Sequence, residues 1–159
     1  MRKIIVVILG ITLLSSKQKE EVNQYPFDSG NLICVKRNFG RSIDPLGWRT
    51  VFYEGVLFEL KSGTEIYSLN NGVVETICDT CRRKWGNFVR IRENDSISYV
   101  YYHLNEVYVK LNQNIKKGQL IGVAGNSGRT TINGLGFRVE VNDTIINPNE
   151  IINKTAPNN

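Results

Sequence analysis

Histidine is almost absent from this chain of 159 residues, since His103 is the only one. Histidine is the commonest metal ligand and general acid–base residue, so the chain has few means of building either kind of site. A long apolar run is also lacking: the longest, residues 4–14, has eleven apolar or small residues, whereas a membrane-spanning helix needs about 20. After residue 16 no useful stretch has helical periodicity, which argues against a helical fold.

The first sixteen residues have the composition of an export signal. Two basic residues, Arg2 and Lys3, precede the short apolar run, and two serines follow it. This order is typical of a secretory signal, so we expect residues 1–16 to be a signal peptide. No cysteine ends the run, which argues against a lipoprotein. We therefore expect export to the periplasm, the cell envelope or the extracellular space, with membrane contact only through this segment.

The excess of positive charge is small. The chain has 20 basic and 15 acidic residues, and without Arg2 and Lys3 the counts are 18 and 15, a net charge of +3. Such an excess mildly favours anionic envelope polymers as partners. It comes with no nucleic-acid-binding motif, so nucleic acid is not an expected partner.

Only three cysteines are present, Cys34, Cys78 and Cys81. In an exported chain the CxxC pair of Cys78 and Cys81 can form a local disulfide, or Cys34 can pair with one of them. A thioredoxin-like redox role needs a helix after the pair to lower the thiol pKa, and a strand pattern follows instead. A zinc module of the three cysteines and His103 has the right number of ligands and stays a further alternative.

Short apolar runs separated by glycine and asparagine turns predict an all-β sandwich or barrel. The predicted strands cover residues 31–35, 51–60, 66–69, 73–77, 87–92, 98–104, 106–109, 119–124 and 135–141. Asn71-Gly72 lies between two of these runs and predicts a tight β-hairpin, because both residues accept positive φ.

The remaining segments set the expected boundaries. Residues 17–31 are polar and irregular, which indicates a linker, and residues 153–159 form a polar tail. Residues 38–47 are rich in turn residues and are expected to form a structured loop. The folded domain is thus expected to cover residues 32–152.

Seven short segments follow one another in an order and spacing that are specific together, although each is weak alone. They are Gly63-Thr64-Glu65-Ile66-Tyr67-Ser68, Asn71-Gly72-Val73-Val74, Gly86-Asn87-Phe88-Val89-Arg90-Ile91, Tyr101-Tyr102-His103-Leu104, Gly118-Gln119-Leu120-Ile121-Gly122, Gly125-Asn126-Ser127-Gly128 and Phe137-Arg138-Val139-Glu140-Val141. In this arrangement the chain resembles the lysostaphin-type (LytM-like) zinc metallopeptidases, which cut peptide cross-links in bacterial cell walls. The resemblance implies a duplicated hybrid motif, a barrel-sandwich-like β-sheet domain with an open groove.

The resemblance also identifies the positions of the family's zinc site. The family binds zinc through the His and Asp of His-x-x-x-Asp and the second His of His-x-His, and an open position takes the attacking water. In this chain Tyr53 and Leu57 replace the first pair, and Gly136 replaces the zinc-binding His of the second motif. Gly134 replaces the His that assists catalysis, and His103 remains in the position of the other catalytic His.

We therefore expect neither zinc nor hydrolysis, and a binding or scaffold module for peptidoglycan or an envelope protein. His103 is a candidate for binding in the groove, as are Tyr101, which shares its strand face by period two, and Arg138, which stands where the family usually has an acidic residue. The alternative is an active peptidoglycan metalloendopeptidase with unconventional ligands such as Tyr53, His103 and Glu59.

Overall fold

The computed structural model describes residues 24–44, 46–82 and 84–154. The predicted signal peptide lies outside the described residues, as do residues 17–23 of the predicted linker and 155–159 of the predicted tail. The strands are β1 (Leu32–Arg37), β2 (Gly40–Ile43), β3 (Thr50–Tyr53), β4 (Val56–Leu60), β5 (Glu65–Tyr67), β6 (Gly72–Cys78), β7 (Asn87–Arg92), β8 (Ile97–Val107), β9 (Asn114–Ile115), β10 (Leu120–Ala124), β11 (Gly134–Val141) and β12 (Thr144–Ile146). One short helix, α1 (Asn149–Lys154), follows them. Over the described ranges no helix is long and apolar enough to cross a membrane.

Ten of the strands form one sheet in which all pairings are antiparallel. Its main path runs β1-β4-β11-β8-β7-β6-β9, with β10 paired to β8 and β5, and β12 paired to β11. Strands β2 and β3 form a separate two-stranded hairpin. The predicted all-β class is confirmed.

Side chains along the long strand β8 point alternately into the core and toward the open face of the sheet. Tyr99 and Tyr101 point into the hydrophobic core with Leu104. Val100 and Tyr102 are also buried, but they are outside that core cluster. Since side chains alternate along a strand, these two residues lie on the opposite face, above which the groove opens.

The predicted hairpin at Asn71-Gly72 is wrong. Strand β5 pairs with β10, whereas β6 pairs with β7 and β9. Neither Asn71 nor Gly72 has a positive φ; a Cβ on Gly72 would lie 2.5 Å from the carbonyl oxygen of Arg92, so close strand approach requires this glycine. The two-residue turn with positive φ is Asn142-Asp143, at 48° and 59°, which joins β11 to β12.

Three boundaries differ from those expected from the sequence. Part of the loop expected at residues 38–47 forms strand β2. Helix α1 extends from the domain into the predicted tail, through residue 154. Residues 24–31 of the predicted linker pack onto the domain, because the aromatic side chains of Tyr25 and Phe27 reach the core despite their polar neighbours.

We expect Phe27→Ala to destabilise the domain strongly. The ring is fully buried and packs at 5.1 Å from Phe58 and 5.3 Å from Tyr25, measured between ring centroids. Removing such a ring costs about 3–5 kcal/mol of unfolding free energy. Urea denaturation measures the change, and Ile33→Ala, at a side chain that is 58% exposed, is the control. A loss no larger than the control's would mean that residues 24–31 do not stabilise the domain.

Candidate functional site

Two adjoining cavities of 360 Å³ and 330 Å³ open on the side of the sheet away from the core. Arg37, Tyr53, His103 and Arg129 line both, so we treat the two cavities together as one feature, the groove. The first cavity also has walls from the β2–β3 hairpin and from the segment before β7. Its other lining residues are Asp44, Arg49, Val51, Phe52, Glu54, Lys84, Trp85, Tyr102 and Arg138.

The residues aligned with the zinc site come together in the groove. Gly136 lies opposite Leu57 on one neighbouring strand and opposite Tyr102 on the other. Tyr53 reaches the same place from the end of β3, and its hydroxyl lies 3.0 Å from that of Tyr102. His103 lines the groove beside them.

The ring of Tyr102 occupies the space that a side chain at position 136 would need. A Cβ added to Gly136 would lie 2.1 Å from Cε2 and 2.3 Å from Cζ of this ring. At Gly134 the backbone of the neighbouring strand leaves no room for a side chain, since a Cβ there would lie 1.9 Å from the carbonyl oxygen of Phe58. Neither position accepts a histidine without movement of its neighbours. Sequence reasoning did not assign Tyr102 a role, although an aromatic residue directly before His103 was the available signal.

His103 is fixed by its backbone and by one ring nitrogen. Its φ is 68°, which is uncommon for a residue other than glycine. The backbone N–H donates to the carbonyl of Trp85 at 2.9 Å, and Nδ1 lies 2.7 Å from the carbonyl oxygen of Ser127. A carbonyl only accepts, so Nδ1 carries the proton and Nε2 is an acceptor. Burial lowers the pKa of the imidazole, which is therefore neutral at neutral pH.

The β-bulge at His103 overturns the expectation for Tyr101. On strand β7, the partners of Tyr102 and Leu104 are consecutive, so His103 is an extra residue and the period of two is interrupted there. Tyr101 is fully buried in the core, and its hydroxyl accepts the backbone N–H of Leu69 at 3.1 Å. Burial raises the pKa of Tyr101 to about 12. Tyr101 is thus wrong as a groove residue, and Tyr102 takes that place.

Arg138 lies in the groove wall and is firmly held. Its Nη1 is 2.9 Å from Glu54 and its Nη2 is 2.7 Å from Glu140, which also pairs with Arg90 at 2.7 Å. The guanidinium lies 5.1 Å from the ring centroid of Trp85. With two carboxylates and a ring against it, Arg138 is a structural part of the wall that supports Trp85.

Three other cations of the groove lining lack a carboxylate partner among the described residues. They are Arg37, Arg49 and Lys84. Arg37 lies over the ring of Tyr53, 5.1 Å from its centroid. Arg129, by contrast, forms an ion pair with Asp44 at 2.7 Å, and this hydrogen bond lowers the pKa of the carboxyl. The groove lining therefore has three cations whose charge no carboxylate of the described residues neutralises.

The residues at this place do not fit the family's zinc site. Leu57 and Gly136 have no donor atoms in their side chains, and burial raises the pKa of Tyr53, so its phenol is protonated at neutral pH. Over the described ranges, no three His, Cys, Asp or Glu residues are placed to hold one metal ion. Glu59, suggested as an unconventional ligand, points instead to Lys36 at 3.4 Å and to Cys34.

The cysteines do not form a metal module. Cys78 and Cys81 are joined by a disulfide, with Cα atoms 5.7 Å apart. Cys34 is free and exposed on strand β1. The alternative of a zinc module built from the three cysteines and His103 is therefore wrong.

We expect Gly136→Ala and Tyr102→Ala to be strongly coupled. In the native background the new methyl group overlaps the ring, and overpacking of this kind costs about 1–3 kcal/mol. Once Tyr102 is alanine, the same change should be neutral or stabilising, because alanine restricts the unfolded chain more than glycine does. Urea denaturation of the four proteins in the cycle gives the coupling energy. Additivity within about 0.5 kcal/mol would mean that the ring does not fill this space.

We also expect the domain to lose stability on mild acidification because of His103. Its pKa in the folded state is below the ordinary 6.5, so below pH 6.5 the unfolded chain binds more protons and the free energy of unfolding falls. The slope is at most about 1.4 kcal/mol per pH unit.

As the chain has no other histidine, His103→Asn should remove the slope between pH 7 and pH 5. Asparagine suits this variant because it also tolerates positive φ. The Asp44 carboxyl, with its lowered pKa, titrates below this window. An unchanged slope in the variant, measured by urea denaturation across the pH range, would exclude His103 as its source.

Comparison with known proteins gives the family. Residues 51–148 match Peptidase family M23. Peptidoglycan DD-endopeptidase ShyA of Vibrio cholerae is 33% identical over 109 residues, which are 68% of this chain and 24% of that protein. The first curated relatives are much longer proteins, of which the chain spans 22–33%.

Solved structures agree in fold. The catalytic domain of lysostaphin from Staphylococcus simulans superimposes with a TM-score of 0.68 at 26% identity, over 83% of this chain and 95% of that chain. A zinc containing peptidase from Vibrio cholerae gives a TM-score of 0.67 at 30% identity, over 79% of this chain and 38% of that chain. The lysostaphin-type resemblance is confirmed, and with it the fold. The chain belongs to Peptidase family M23.

Proposed function

We propose that this protein is an exported M23 domain that binds peptidoglycan in its groove without hydrolysing it. The observation that carries the proposal is the contact between Tyr102 and Gly136, at the place aligned with a zinc-binding histidine. An aromatic ring there replaces the metal and its water with a packed phenol pair. On this proposal the protein takes no zinc.

The ligand class follows from the relatives and from the groove. Relatives with this domain are named as peptidoglycan endopeptidases, including ShyA of Vibrio cholerae. The groove lining includes the aromatic side chains of Phe52 and Trp85 together with unpaired cations. Aromatic rings and cations suit a ligand that combines apolar groups with carboxylates, as cell-wall peptides do.

Export follows from the sequence pattern of residues 1–16 and from the location of such a ligand in the cell envelope. A protein destined for that compartment also keeps a disulfide oxidised, which suits the pair Cys78–Cys81. The periplasm, the cell envelope and the extracellular space are all compatible with these features.

A second candidate, docking to an envelope protein, is favoured by the exposed side of the β2–β3 hairpin. We define the hairpin patch as Ile43, Leu46, Trp48 and Phe52, with exposures of 64%, 50%, 86% and 60%. Three of these residues also line the groove, and Trp48 is the member outside its lining. Clustered apolar exposure of this kind marks interaction surfaces more often than single exposed residues do. The two candidates use different tryptophans, Trp85 in the groove and Trp48 in the hairpin patch, so one experiment separates them.

We expect the purified protein to sediment with peptidoglycan sacculi, to contain no stoichiometric zinc and to release no muropeptides. Trp85→Ala should weaken sedimentation at least about fivefold, as expected for the loss of a central aromatic contact. Trp48→Ala, the matched control, should leave it unchanged. Zinc is measured by elemental analysis and digestion by chromatography of released fragments.

Each result has a distinct meaning. Stoichiometric zinc together with chelator-sensitive release of muropeptides would establish the active metalloendopeptidase instead. Loss of sedimentation in Trp48→Ala alone would move binding from the groove to the hairpin patch. No sedimentation of the native protein would exclude attachment to intact peptidoglycan.

A further inference from the structure

The groove has more positive charge than its own carboxylates neutralise. Five cationic side chains line the larger cavity, against the two carboxylates Asp44 and Glu54. Both carboxylates are already engaged, Asp44 with Arg129 and Glu54 with Arg138. The charge of the remaining three cations, Arg37, Arg49 and Lys84, is therefore available to a ligand.

Arg37 is the best placed of these three. Of the unpaired cations, it alone lines both cavities, while Arg49 and Lys84 line only the larger one. Tyr53 and His103 line both cavities with it, so Arg37 lies where the two cavities adjoin.

A neutral donor lies beside Arg37. In the phenol pair, Tyr102 donates to the oxygen of Tyr53, so the proton of the Tyr53 hydroxyl is left without an acceptor among the described residues. The Arg37 guanidinium covers the Tyr53 ring at 5.1 Å. A planar guanidinium and a hydroxyl on one wall are the donors that a carboxylate accepts best, and partial burial strengthens the attraction.

His103 complements these donors with an acceptor. Because Nδ1 is used by the Ser127 carbonyl, Nε2 has its lone pair free for an N–H group. The backbone amide of a terminal residue lies close to its own carboxylate, so a peptide end offers both groups together. An internal peptide segment offers the N–H but no charge for Arg37.

We propose that the groove recognises the free carboxylate end of a peptide through Arg37 and Tyr53, with Arg49 and Lys84 adding positive charge at the wall. This inference rests on the proposed function and specifies its ligand. In a cell wall, free carboxylate ends occur on peptides that are uncross-linked or already cut, whereas a cross-link converts one of them into an amide. The domain is thus a reader of open peptide ends, selective against cross-linked ones.

The test compares purified uncross-linked muropeptides whose carboxylates are free or converted to amides. Calorimetry should give at least about tenfold tighter binding for the free form, the magnitude expected for a charge-assisted hydrogen-bonded contact. Arg37→Gln should remove this difference by weakening the free form only. Arg41→Gln, an equal loss of charge at an exposed residue outside the groove lining, should preserve it.

Further variants test geometry and charge separately. Arg37→Lys keeps the charge but loses the planar fork, so its affinity should lie between those of native protein and Arg37→Gln. Inorganic phosphate is the competitor that tests for a general anion site. Displacement of the muropeptide by phosphate at a lower concentration than by acetate would overturn recognition of carboxylate in particular.

Failure of this inference differs from failure of the proposed function. Equal binding of the two muropeptide forms, or equal effects of Arg37→Gln and Arg41→Gln, overturns end recognition but leaves groove binding of sacculi standing. Tight binding of the free form without sedimentation of sacculi supports end recognition and overturns attachment to the intact wall. If neither muropeptide form binds, end recognition is overturned, whether or not the protein sediments with sacculi.

Discussion

The contact of the Tyr102 ring with Gly136 determines the shape of the groove. Position 136 tolerates no side chain while this ring lies 2.1 Å from the site of a Cβ. The hydroxyl of Tyr102 in turn donates to the hydroxyl oxygen of Tyr53 at 3.0 Å, and this bond holds the end of β3 against the sheet. Two of the positions aligned with zinc ligands are therefore parts of one packed unit, and restoring a single ligand would disturb it. A histidine at position 136 would therefore require movement of the Tyr102 ring as well as the change of residue.

That ring depends on the bulge at His103. The extra residue in β8 interrupts the alternation, so Tyr101 enters the core, Tyr102 faces the groove and His103 follows with a positive φ. Two hydrogen bonds hold the bulge. The backbone N–H of His103 donates to the carbonyl of Trp85, and Nδ1 of its ring donates to the carbonyl of Ser127. Such strain persists where surrounding contacts fix it and is common at binding sites. The position of His103 is thus fixed by the bulge and by these two hydrogen bonds.

The sequence carried enough information for the fold class and the family, because these depend on motif order. It did not carry strand pairing: Asn71-Gly72 has the chemistry of a hairpin turn, yet β5 and β6 bury their apolar residues against other strands. The alternation of side chains along a strand also placed Tyr101 on the wrong face. The bulge at His103 depends on tertiary contacts, which the local sequence pattern does not reveal. Arg37 gave no signal at all, because its contact with Tyr53 forms only when β1 and β3 are brought together.

Ion pairs among its own side chains hold the groove wall in place. Behind it runs a row of alternating charges on the open face, in which Arg90 joins Glu75 to Glu140 and Arg138 joins Glu140 to Glu54. This row supports Trp85 and needs no metal, so the wall keeps its shape with Leu57 and Gly136 in place. Arg37, over the ring of Tyr53, adds a positive charge to this wall that comes from the chain itself. Under the function proposed above, such a wall would hold a peptide carboxylate without an activated water.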